Sequence, residues 1–189
     1  MIQQSIYNLA DYIRSDAASH PFQWATHYYW GSMSNAAHRT GQFSWMAYVF
    51  DSTRTADRDQ LLHNMHYMFG RNYLNYAFMS GADAFGATRW RREGFHHWMK
   101  ALQANPFHFP GAIAGGPNDA PPLWDASFIN AVPYPIYGYF GDPRNWRDAS
   151  TVIEGRFTDN DSWSTNEVTL NWQAAVVYKF LAAQRLAQL

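Results

Sequence analysis

Glu167 is the residue whose setting suits proton transfer. It follows Trp163-Ser-Thr-Asn and precedes Val168, Trp172 and a run of apolar residues. A carboxyl that donates a proton near neutral pH needs its charged form disfavoured, and aromatic or apolar neighbours with little competing charge do that. Taken alone, Asn166-Glu167 at the start of a helix reads first as ordinary capping with dipole complementarity. His63 and His66 have the i, i+3 spacing of metal ligands but lack a third ligand, so they are read as core or surface histidines. Asp159-Asn160-Asp161 begins like a calcium loop without its glycine and distant glutamate, and is read as a polar turn. No metal or other cofactor is expected.

The aromatic inventory of 9 Trp, 12 Tyr and 13 Phe exceeds what the core of a 189-residue chain requires. With a net charge of −1, these rings suit the apolar faces of sugars better than nucleobases, whose stacking comes with Lys and Arg. A nucleic-acid or anionic-membrane partner is not expected. Hydrophobic residues at 47% and charged residues at 15% exclude a disordered chain. The absence of cysteine removes thiol chemistry and leaves the compartment open. The N-terminus lacks the basic start and apolar run of a signal peptide.

Helices must position these groups. Ile2, Ile6, Leu9 and Ile13 form one stripe of an opening helix, and a chain that starts directly on such a helix suggests that more chain precedes it. A second helix is predicted from Ser32 or Ser34 to Phe50, and a third from Ala56 to Phe69, ended by Gly70. A last helix follows Asn166, with Val168, Trp172, Val176 and Leu181 or Ala182 on one face. Between Arg71 and Thr165 lie 9 of the 12 Gly and 8 of the 9 Pro without sustained periodicity, the texture of an active-site wall.

Four segments, in order, resemble motifs of the family-9 glycoside hydrolases. Residues 28–35, YYWGSMSN, resemble the family's Trp-Gly-Ser motif. Residues 69–81, FGRNYLNYAFMSG, resemble its LGRNP…SYVTG run. Residues 109–119, FPGAIAGGPND, resemble PGLLVGGPN. Residues 161–178, DSWSTNEVTLNWQAAVVY, resemble the NEVAI signature around the catalytic acid. The resemblance spans Tyr28 to Tyr178, with LWDASFINAVPYPIYGYF as an apparent insert before the fourth motif.

The resemblance implies an all-α fold, the C-terminal part of an (α/α)6 six-hairpin barrel with long irregular active-site loops. Residues 1–189 would form part of a catalytic domain that hydrolyses β-1,4 bonds in cellulose-like glucans with inversion. Glu167 would be the general acid. Trp30, His96 and Trp172 would line the sugar site, with Asn166 beside it. His96-His97 matches the family's Pro-His-His-Arg run, with Phe95 and Trp98 in place of its Pro and Arg. The family's base comes from an Asp-Ala-Gly-Asp motif absent from this sequence, so Glu167 needs the N-terminal half of the same enzyme or a partner chain. The rival expectations are a non-catalytic carbohydrate-binding or split half-barrel protein, and an exo-acting enzyme on short β-linked oligosaccharides or amino sugars. The resemblance favours a secreted or periplasmic setting.

Overall fold

The computed structural model describes residues 1–24, 28, 30–72, 74–90, 110–118 and 167–188. Among these, five α-helices carry the fold: α1 (Ile2–Ala18), α2 (Ser32–His38), α3 (Trp45–Phe50), α4 (Thr55–Met68) and α5 (Leu170–Leu186). No strand occurs among the described residues, only isolated bridges at Ala77–Trp90 and Met79–Ile113.

α1 follows its predicted stripe with a rotation. Ile6, Ala10, Ile13 and Ala17 are buried, whereas Ile2 and Leu9 face outward. Small Ala10 and Ala17 allow close approach to the neighbouring helices, which a stripe drawn through the large residues does not anticipate. Arginines fix α1 to α4: Asp57, with a fully buried side chain, meets Arg14 Nε at 3.2 Å and Arg54 Nε at 2.6 Å. Asp11 bridges the same two arginines.

The helix predicted from Ser32 to Phe50 is present, interrupted by a π-helical segment at Arg39–Ser44. Thr40 Oγ1 donates to the Ala36 carbonyl at 2.7 Å, a back-bond that competes with the main-chain ladder and favours a local widening. The widened turn packs against α5, where Lys179 Cβ lies 3.5 Å from the position a Cβ on Gly41 would take.

α5 follows Asn166 as predicted, with its first helical residue at Leu170. Its buried face is Ala175, Val176, Lys179 and Ala182, while Leu181 is exposed and Val168 precedes the helix. The core against it holds Met33, Met68, Phe78, Ile113 and Val176, with Trp24 stacked on Tyr67 at a centroid distance of 4.0 Å. The irregular stretch after Arg71 contains one short 3-10 turn, Ala82–Phe85, among its described residues.

Candidate active site

The segment from Ala112 to Pro117 is the hub of the site. In an extended chain, backbone polar groups of alternate residues point to opposite edges. Even-numbered residues face the second motif. Ser80 N–H donates to Ala112 O at 2.9 Å, and Ala114 N–H donates to Phe78 O at 2.9 Å. Odd-numbered residues face the first and fourth motifs. Ile113 N–H donates to Gln173 Oε1 and Gln173 Nε2 donates to Ile113 O, both at 2.9 Å. Gly115 N–H donates to Glu167 O, and Gly115 O accepts from Met33 N–H, both at 3.0 Å. Ser32 Oγ completes this edge by donating to Pro117 O at 2.8 Å. All four motifs therefore meet along one extended segment.

Two glycines make the meeting sterically possible. Gly31 caps α2 with φ +80°, and a Cβ there would fall 2.9 Å from the Trp172 ring. Gly116, with φ +98°, lies so close to α2 that a Cβ would be 2.7 Å from both Ser32 Oγ and Met33 Cγ. Left-handed backbone and absent side chain are both required at these positions.

Against this frame Trp30 and Glu167 come together. The Trp30 indole Nε1 donates to Glu167 Oε2 at 3.1 Å, and both side chains are partly exposed. An indole N–H is donor-only, so it fixes the carboxylate in one orientation. Trp172 lies against Gly31, beside the backbone that carries Trp30. Glu167 stands three residues before α5, and the first turn of that helix holds no acidic residue. The capping interpretation of Asn166-Glu167 therefore fails for the glutamate, whose main-chain carbonyl is taken by Gly115.

Of the residues singled out in the sequence, Trp30, Glu167 and Trp172 are brought together. His96 and Asn166 lie outside the described residues, as does the Asp159-Asn160-Asp161 run. Ser32, Gly115 and Gln173 were not anticipated; the GGPN run signals a tight backbone approach, but nothing in sequence marks the glutamine. His63 Nδ1 is 3.0 Å from an Arg71 guanidinium nitrogen. Burial and then the Arg71 charge hold its pKa below the ordinary histidine range. Among the described residues, no group of three or more His, Asp or Glu side chains is arranged to hold a metal.

Over 150 residues the chain is 29% identical to Endoglucanase C of Cellulomonas fimi, covering 79% of this chain and 12% of that protein. It is 31% identical over 153 residues to the cellulose 1,4-beta-cellobiosidase of Acetivibrio thermocellus, covering 78% of this chain and 14% of that one. The crystal structure of a Zn-binding triple mutant of the family-9 endoglucanase J30 superposes with a TM-score of 0.71 at 19% identity. That match covers 97% of this chain and 30% of that one, so the helices adopt the fold of part of an (α/α)6 barrel enzyme. The chain thus spans less than a third of the length of each of these proteins. The model of glycosyl hydrolase family 9 matches residues 2–180, a span that holds all four converging motifs, and the chain belongs to that family.

Proposed function

We propose that this chain supplies the general acid, Glu167, to an inverting enzyme that cleaves β-1,4 bonds in cellulose-like glucans. The observation that carries the reading is the orientation of Glu167. Its main chain is pinned by Gly115 and its carboxylate by the Trp30 indole, with the side chain partly open to solvent. A carboxyl held at both ends can meet a glycosidic oxygen without losing further side-chain entropy on binding. In the proposed step Glu167 transfers its proton to the leaving oxygen as the C–O bond breaks. In the same displacement water attacks from the opposite face of the sugar, giving its proton to a second carboxylate about 6.5–9.5 Å away. Trp172, Asn166 and His96 line the sugar path in this reading.

The second carboxylate is assigned to the N-terminal half of the same enzyme or to a partner chain. The acids on α1 and α4 support this, since Asp11, Asp16, Asp57 and Asp59 are each engaged by an arginine. An apolar face supports it too. Leu170, Val177 and Leu181 project from one side of α5, each more than half exposed. Beside them, Phe69, Phe85, Val177 and Phe180 line a cavity of about 550 Å³. A contiguous apolar face of this kind is suited to a packed helix rather than to water.

A second reading is favoured by the missing Asp-Ala-Gly-Asp motif: a chain that binds β-linked sugars and does not cut them. Proton NMR of the first-formed product separates the two. The proposal requires no turnover by the 189-residue chain alone, and inverted product when a chain carrying the aspartate pair is added. A retained anomer, or no cleavage in any such assembly, contradicts it.

A further inference from the structure

We propose that Gln173 is a positioning residue for Glu167, acting through the backbone of Ile113 and Gly115. This inference rests on the assignment of Glu167 as the acid. The geometry is a closed ring. One limb is the chain from Glu167 to Gln173, which turns into the first turn of α5. The other limb is the extended Ile113–Gly115 strut. Gly115 N–H closes one end on Glu167 O at 3.0 Å, and the paired bonds of the Gln173 amide close the other on Ile113 at 2.9 Å each.

A side-chain amide has the donor and acceptor of a peptide group, so Gln173 adds to the strut as one rung of a sheet would. Ile113 is fully buried, and its two backbone groups face this edge, where an apolar side chain would leave both without a partner. The opposite edge is already committed to Phe78 and Ser80. The three-residue strut therefore sets the distance between the helix start and the Glu167 carbonyl. Without the amide rung, the tie that remains among the described residues between the strut and the segment from Glu167 to Gln173 is the Gly115 N–H bond to Glu167 O. The Trp30 indole then meets a carboxylate whose main chain can rotate. Ser32 and Met33 hold the same strut from α2, so loss of Gln173 loosens its α5 end without releasing it from the fold.

The test uses the whole 189-residue chain and the 15N–1H signal of the Trp30 indole. In the native protein this signal should move with the ionisation of Glu167, and Glu167→Gln should abolish that movement, which assigns it. Gln173→Met keeps the volume and removes both bonds. It should leave the chain folded, by circular dichroism and cooperative melting, while the pH-linked movement of the Trp30 signal is lost. Gln173→Glu keeps the acceptor for Ile113 N–H and should retain part of the movement, which also provides the readout if the methionine variant does not fold. A full native titration of the Trp30 signal in either folded variant overturns the positioning role. The readout needs no turnover, so its failure is distinct from failure of Glu167 as the acid, which is judged on substrate cleavage.

Discussion

The Trp30 indole donates to the Glu167 carboxylate across 3.1 Å, joining residues 137 positions apart. The two belong to different motifs, and a third, the 112–117 segment, binds both of those motifs along one edge. That arrangement makes the tryptophan's hydrogen-bonding nitrogen, rather than its area alone, the feature to test.

Trp30→Phe keeps an aromatic face and removes the donor. A hydrogen bond to a charged group contributes roughly 1.5–3 kcal/mol. Turnover of oligosaccharides by the catalytic assembly should therefore fall about 10- to 100-fold, with KM and melting temperature little changed. Trp30→Ala should in addition weaken oligosaccharide binding by on the order of 1 kcal/mol if the ring also stacks on sugar. Unaltered kcat in the phenylalanine variant, measured beside the parent, refutes the orienting role.

Gly31→Ala tests the close approach of Trp172. A Cβ at φ +80°, 2.9 Å from the indole, forces either the cap of α2 or the Trp172 ring to move. Strain of this kind costs about 1–3 kcal/mol, which should lower the urea midpoint of the chain without changing its slope. An unchanged midpoint contradicts the contact.

The positions of the helices were largely legible in the sequence, because the apolar stripe of α1 and the glycine after α4 are local signals. The rotation of α1 was not, since Ala10 and Ala17 are buried by close helix packing that depends on their partners. The π segment at Arg39–Ser44 was hidden too: Thr40 and Gly41 are ordinary residues until α5 packs against them. The motifs identified Glu167 and Trp30 but not their bond, because the Gln173 amide and the Gly115 N–H act on main-chain partners that only the fold brings within reach. Lys179 was the clearest departure. It lies at a core position of α5, where a periodicity reading expects an apolar residue.

Lys179 makes a pH-dependent prediction. Its side chain is fully buried, and its one hydrogen-bond partner among the described residues is Met68 Sδ at 4.0 Å. Burial drives its pKa well below the ordinary lysine value of 10.5. The folded state thus binds fewer protons than the unfolded state between the depressed value and 10.5, and stability must rise with pH across that window. Lys179→Met should flatten this rise. It should also stabilise the chain at neutral pH by on the order of 1–3 kcal/mol, the cost of an unsatisfied buried polar group. Urea unfolding of both proteins at neutral and alkaline pH reads both effects; parallel pH curves contradict the buried amine.

The most direct measurement of the central claim compares two classes of β-glucoside on the catalytic assembly with Glu167→Gln. One class has an alkoxide leaving group that needs a proton; the other has a leaving group stable as an anion. General-acid assistance contributes ~10²–10⁴-fold, and only the first class depends on it. The account predicts a loss of that size for the first class and little change for the second. Equal loss in both classes, or no loss in either, contradicts Glu167 as the acid.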